Sequence, residues 1–436
     1  MQPSSLPSEP LPWRTNTRPK LPPGVLLDID QGPLWDILTE FLRLEDVCRL
    51  DSALCNKSRR HDFLQLVSTE VLRFGAPYDR TSPSFDRMTT IGEMNWIIRR
   101  GMHLVSLGVP PSSADLSSVD EEGILNAVTS LANQGSINKL ECLSLRRCCF
   151  MTDNSVVSVL TKCLNSLKTL DLRGSALADD DVEGWGITES TSEYIKQCTN
   201  LSTFFSSGND RMIEIAQSCR NIRDLNLSSF ADKLTDDTVM KVVVHLPTLE
   251  LLCLSGCKSI TDDSIKMVAT CCPSLRRIFC SDLNLITDAS VEALHNGCRE
   301  LSAVIFTECF LLTDTSIETL SRRESSLKYL ISAYNQNITS NAMISLIKKC
   351  PKLHTIGVAG CNNVSDEVVM AISEHCSKIV KLSIYDCDIS AFALCALLSR
   401  RSKLLDVEID EDQFSGQELD RFKTLYPDVH WIINVH

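Results

Sequence analysis

Apolar residues recur along most of this chain in a fixed phrase, clearest between Leu249 and Cys272 (LELLCLSGCKSITDDSIKMVATCC). Leu249, Leu252 and Leu254 stand three and two residues apart, as in a short strand with one buried face. A small and polar turn leads to Cys257, and Thr261-Asp262 then opens a helical apolar pattern at Ile265, Val268 and Ala269 that closes on Cys271-Cys272. Thr at an N-cap accepts a hydrogen bond from a free backbone N–H, and Asp in the first turn complements the helix dipole. The phrase predicts a strand, a tight turn, a capped helix and a return loop.

The phrase repeats. Its first apolar positions are Leu140, Leu167, Leu201, Ile222, Leu249, Leu275, Leu301, Leu327, Leu353, Ile379 and Leu404, and from Ile222 onward the spacings are 27, 26, 26, 26, 26, 26 and 25. A period of this length marks stacked units that cannot bury their apolar faces alone. Thr152-Asp153, Thr235-Asp236, Thr261-Asp262, Thr287-Asp288, Thr313-Asp314 and Ser365-Asp366 all precede helical patterns.

Twelve of the twenty cysteines follow the same phase. Cys148, Cys257, Cys309, Cys361 and Cys387 lie eight residues after a repeat start, while Cys163, Cys198, Cys219, Cys272, Cys298, Cys350 and Cys376 lie three or four before the next. A small buried side chain with a weak donor suits a crowded turn where the carbonyls of successive coils need partners. Zinc is a poor alternative, because Cys148-Cys149 and Cys271-Cys272 are adjacent pairs and no histidine cluster completes a ligand set. The pattern resembles the cysteine-containing class of leucine-rich repeats. That resemblance implies an α/β leucine-rich-repeat solenoid, a horseshoe with a parallel inner sheet and outer helices, running over residues 140–425.

The flanks differ in character. Residues 1–30 hold seven prolines among polar residues and predict a disordered leader. In residues 31–75, Leu34, Ile37, Leu38, Phe41 and Leu42 form one amphipathic face, and Val47, Leu50 and Leu54 a second, predicting a small all-α N-terminal head. Pro33, Ile37, Leu38, Phe41, Leu42, Glu45, Asp46, Val47 and Cys55 follow the outline of an F-box, which this segment resembles. The sequence departs from that outline at Gly32-Pro33, where Leu-Pro is usual, and at Leu54-Cys55-Asn56-Lys57, where no Trp appears. Two readings of the head stand: an adaptor-binding segment using Pro33, Ile37, Leu38, Phe41 and Leu42, or a helical cap that turns the same residues inward.

Residues 76–139 are expected to form a linker and an irregular first repeat. GEMNWIIRRG reads as a helix stopped by Gly101, His103–Val109 as a strand and ILNAVTSLA as a helix. Residues 426–436, with Trp431, Ile432 and Ile433, are expected to cap the array. Two units are irregular: the stretch from Gly174 to Cys198 is long and acidic, and the unit that follows it is only 21 residues. Asp179-Asp180-Asp181 and Glu183 lack the alternating spacing of a calcium loop and read as a solvated surface.

Composition narrows the function. Of 436 residues, 43% are hydrophobic and 23% charged, and no apolar run reaches the roughly 18 residues of a membrane span. A net charge of -13 opposes binding to nucleic-acid phosphates. The N-terminus lacks the pattern of a signal peptide, so a reducing cytoplasmic or nuclear location is expected. No phosphate loop, metalloprotease motif or nucleophile elbow is present, so no enzyme activity, cofactor or metal is expected.

Side chains on a strand alternate between its faces. The residues between the core positions are therefore expected on the concave surface, where Phe279, Ile305 and Ile331 follow one another. With Leu251, Tyr329, Tyr334 and Tyr385 nearby, they suggest a contiguous apolar patch for a protein partner; lateral packing between strands is the other reading. Arg146, Arg147 and Arg173 toward one end, and Asp406, Glu408, Asp410, Glu411 and Asp412 toward the other, form a charge gradient that would orient such a partner. The joint resemblance to F-box/leucine-rich-repeat proteins implies a substrate receptor of an SCF-type (cullin-RING) ubiquitin ligase; a ligase-independent scaffold or regulator is the alternative.

Overall fold

A computed structural model describes residues 89–109, 121–174, 187–206, 211–228, 234–323, 326–401 and 403–434. The expected leader and F-box-like segment, including Pro33, Ile37, Leu38, Phe41 and Leu42, lie outside the described residues, as do Asp179-Asp180-Asp181 and Glu183.

Thirteen parallel strands form one sheet in strict chain order. They are β1 (Ser106–Gly108), β2 (Cys142–Ser144), β3 (Thr169–Leu172), β4 (Thr203–Ser206), β5 (Asp224–Asn226) and β6 (Leu251–Cys253). There follow β7 (Arg277–Phe279), β8 (Ala303–Ile305), β9 (Tyr329–Ile331), β10 (Thr355–Gly357), β11 (Lys381–Ser383), β12 (Asp406–Asp410) and β13 (His430–Asn434). A helix separates each strand from the next, and one more, Ile91–Arg100, precedes β1. That first helix carries a Thr90/Glu93 capping box and stops at Gly101 in the left-handed conformation, as GEMNWIIRRG predicts.

Most strands are three residues long, and register assigns each position a direction. Leu252, Ile278, Val304, Leu330, Ile356, Leu382 and Val407 are cross-strand neighbours, fully buried against the helices. Their flanking residues point to the other face.

After many strands the chain turns through a left-handed residue. Arg147, Asp282, Glu308, Tyr334 and Asp386 have φ between 53° and 57°, and Gly256 and Gly360 occupy the same place. A non-glycine residue there costs about 1–2 kcal/mol. The turn is useful because it aims an N–H at the next coil: Gly256 donates to Ser281 O, Asp282 to Thr307 O, Glu308 to Ala333 O, Tyr334 to Ala359 O and Gly360 to Tyr385 O, at 2.7–3.0 Å.

The phased cysteines serve the same need. The thiols of Cys257, Cys309, Cys361 and Cys387 donate to Leu227 O (3.3 Å), Cys280 O (2.8 Å), Ser332 O (3.1 Å) and Val358 O (3.1 Å), each one coil back. Asn335 stands where cysteine is absent and donates to Phe306 O at 2.5 Å. At the helix ends, Cys219 donates to Ile195 O and Cys272 to Leu246 O, at 3.3 and 3.5 Å. In that phase Arg323 replaces cysteine and reaches Leu294 O and His295 O at 2.7 and 2.8 Å.

The helix-opening aspartates do more than complement a dipole. Asp262 accepts from Thr287 N (2.8 Å), Thr287 Oγ1 (2.7 Å) and Ser290 Oγ (2.5 Å) of the next coil. Asp236 and Asp288 make the same three bonds to Thr261 and Ser264 and to Thr313 and Ser316. The helices also approach closely: a Cβ on Gly297 would fall 2.1 Å from Ala269 O. At the C-terminal end Trp431 stacks on Phe422 (5.5 Å between ring centres), which Phe414 meets edge-on at 5.3 Å.

Burial alone would raise the Asp236 and Asp262 carboxyls. Hydrogen bonds from Ser264 and Thr261, and from Ser290 and Thr287, outweigh it and hold both below the ordinary value. Their contribution to stability is therefore present above the unfolded-chain value of about 3.9 and lost as pH falls through the lower folded value. Asp262→Asn is expected to lower unfolding free energy at pH 7 by about 2 kcal/mol, the scale of bonds to a charged acceptor. It should also flatten the acid limb of stability against pH in denaturant titrations; an unchanged limb would contradict the assignment.

Candidate functional site

On the sheet face away from the helices, register lines up two rows from β6 to β12. One runs Leu251, Arg277, Ala303, Tyr329, Thr355, Lys381, Asp406; the other runs Cys253, Phe279, Ile305, Ile331, Gly357, Ser383, Glu408. Phe279, Ile305 and Ile331 are thus direct neighbours on adjacent strands, about 4.8 Å apart. All three are half-buried, so they both pack laterally and keep surface for contact. Ile331 leans over Gly357, where an added Cβ would sit 3.1 Å from Ile331 Cγ2.

The tyrosines border this stripe. Tyr329 stacks on His354, with 6.1 Å between ring centres. Tyr334 meets Tyr385 edge-on at 6.0 Å, and its ring lies over Gly360, where a Cβ would fall 2.2 Å from Tyr334 Cδ1. Burial pushes both phenols upward, and the neighbouring carboxylates of Asp410, with Asp386 and Glu308 for Tyr334 and Glu408 for Tyr385, push the same way.

Leu251 requires a correction. It was expected to offer surface, yet it is only 1% exposed. Asp224 and Arg277 flank it in register, and Arg277 Nη2 reaches Asp224 Oδ1 at 3.3 Å across it. Cys253, its companion, is buried too. The apolar stripe that keeps accessible area therefore begins at Phe279.

The charges divide along the sheet. Toward the N-terminal end they pair internally: Arg173 makes a two-pronged contact to Asp171 (2.9 and 2.6 Å) and lies 4.7 Å over the Phe205 ring, while Arg223 meets Glu250 at 2.9 Å. Arg173, expected as part of a basic end, is neutralised by Asp171, and Arg146 and Arg147 stand beside that pair. Toward the C-terminal end Asp410 accepts the Asp386 N–H, and the carboxylates of Glu308 and Asp386 have no cationic partner among the described residues. Phe205 escaped the sequence reading because it sits in the shortened 21-residue unit. The Asp224–Arg277 pair was invisible because its partners are 53 residues apart.

Among the described residues no group of three or more His, Cys, Asp or Glu could hold a metal ion, and no helix is long and apolar enough to cross a membrane. Burial pushes the Cys272, Cys309 and Cys376 thiols up to about 12 and that of Cys298 to about 11, which suppresses the nucleophilic thiolate.

The described residues form a leucine-rich-repeat solenoid. Among solved structures, the chain is similar to one in the crystal structure of the yeast Rad7 and Elc1 complex, with 15% identity, a TM-score of 0.50, and coverage of 92% of this chain and 94% of that one. It also resembles the Legionella pneumophila leucine-rich repeat-containing protein LegL7 (15% identity, TM-score 0.41, covering 67% of this chain and 96% of that one). A third likeness is to the Leptospira interrogans LRR protein LIC12759 (16%, 0.38, covering 85% and 97%). No family model and no curated protein matches the sequence.

A structural role for the phased thiols predicts their reactivity. In the native protein at neutral pH, exposed Cys149 should react with a thiol reagent quickly, whereas Cys257, Cys309 and Cys361 should react only as fast as the chain opens. Peptide mapping of the labelled cysteines against time reads this directly, and rapid labelling of Cys309 would contradict its place in the ladder.

Proposed function

We propose that this protein is a non-enzymatic recognition subunit that holds a protein partner against the sheet face from β7 to β12. The observation that carries the reading is the half-buried stripe of Phe279, Ile305 and Ile331 bordered by Tyr329 and Tyr385. Aromatic and branched apolar residues that keep accessible surface while held on a rigid sheet make good anchors. Within that reading, the F-box-like sequence of residues 31–75 supports a receptor that brings its partner to an SCF-type ubiquitin ligase. The likeness to a chain solved in the Rad7 and Elc1 complex is compatible with work alongside a second protein. The missing Trp after Leu54-Cys55 favours the second reading, a ligase-independent scaffold or regulator.

Two measurements separate these ideas. Phe279→Asp with Ile305→Asp should weaken partner capture by about tenfold or more while leaving the thermal midpoint nearly unchanged. A large fall in the midpoint would assign both residues to the core instead. In co-purification with an SCF-type adaptor, the full chain should retain the adaptor and the Leu38→Asp, Phe41→Asp variant should lose it. A folded wild-type chain that retains no adaptor would leave the scaffold reading in its place.

A further inference from the structure

The sheet face divides into a self-neutralised part and an unneutralised part, and the apolar stripe lies against the second. Between β3 and β7, Asp171, Asp224 and Glu250 each meet an arginine, and Asp282 in the turn after β7 meets Lys258 at 3.5 Å. In the turns after β8 and β11, Glu308 and Asp386 are exposed and meet no cation among the described residues. Between them lies the Tyr334–Tyr385 pair, whose ring faces are themselves attractive to cations. The basic residues of this region, Lys328 and Lys381, lie on the opposite margin, at the start of the strands. The face is thus acidic and aromatic along the strand ends, and apolar along its middle.

Resting on the recognition reading above, we infer that the partner presents an extended segment in which lysine or arginine alternates with large apolar side chains. Its apolar residues cover Phe279, Ile305 and Ile331, and its cations meet Glu308, Asp386 and the tyrosine pair. Five inter-strand steps from β7 to β12 span about 24 Å, the length of about seven extended residues. A like-charged acidic segment is repelled by the same carboxylates, so the face selects against it as well.

A displayed library of random nine-residue peptides, selected against the full chain, tests this. Enriched peptides should carry Lys or Arg next to Leu, Ile, Phe or Met. A synthetic consensus peptide should bind at least about tenfold more weakly to the Glu308→Lys, Asp386→Lys variant, and more weakly as salt rises. Both positions are exposed, and an unchanged thermal midpoint verifies that the variant is folded. Acidic or uncharged enriched peptides, indifference to the charge reversal, or no enrichment at all would overturn the inference. If the enriched peptides are uncharged but are lost on Phe279→Asp, the recognition face stands and only the partner's basic character falls. If neither variant alters binding, the face itself is wrong.

Discussion

A backbone carbonyl at the bend of a repeat coil needs a donor from outside its own coil, and most of this architecture follows from supplying it. A buried carbonyl left unpaired costs roughly as much as a lost hydrogen bond. The supply comes from both neighbouring coils in several chemical forms: from the preceding coil the left-handed N–H of Glu308, and from the following coil the thiol of Cys309, the amide of Asn335 and the guanidinium of Arg323. What the position requires is a donor of the right reach. Cysteine meets it with the least bulk, and arginine adds a positive charge where the helix dipole ends in partial negative charge. The carboxylates of Asp236, Asp262 and Asp288 answer the converse need, accepting from hydroxyls and N–H groups of the next helix start.

Because both bends are tied coil to coil, the strands between them have little freedom of register. The face away from the helices then becomes a row of equivalent positions on which side-chain chemistry varies at low structural cost. Cys253, Phe279, Ile305, Ile331, Gly357, Ser383 and Glu408 share one backbone environment and pass from small to aromatic, branched, absent, polar and acidic. The core row beside them stays apolar from Leu252 to Val407. Function is therefore sought in the variable row.

The period, the strand and helix order, the N-caps and the cysteine phase were all legible in the sequence because each is a local pattern that recurs. The inter-coil bonds of the aspartates were not, since Asp262 and Thr287 are 25 residues apart and each also has a sufficient local explanation. The left-handed turns were hidden for a different reason: Arg147, Asp282, Glu308, Tyr334 and Asp386 carry no shared turn signature, whereas Gly174, Gly256 and Gly360 at the same repeat position do. In the candidate site, Phe279, Ile305 and Ile331 could be aligned by counting from repeat starts. Counting could not show that Arg277 would close over Leu251, because that depends on an aspartate two strands away.

The closed and open parts of the sheet face differ in what a partner would have to undo. Approaching Leu251 means separating Arg277 from an Asp224 that is almost wholly buried, leaving a desolvated charge without its counterion, which costs more than the exposed leucine would return. Approaching Ile305 and Ile331 breaks no ion pair. It displaces water from apolar surface that is already held rigid by its strands, the kind of burial that contributes most to affinity. The carboxylates at the rim, being solvated beforehand, contribute chiefly to orientation and to the rate of encounter. On the proposed reading, apolar area and charge would have complementary tasks on this surface: Phe279, Ile305 and Ile331 would supply the buried contact, and Glu308 and Asp386 would add charge attraction and set which way round a partner lies.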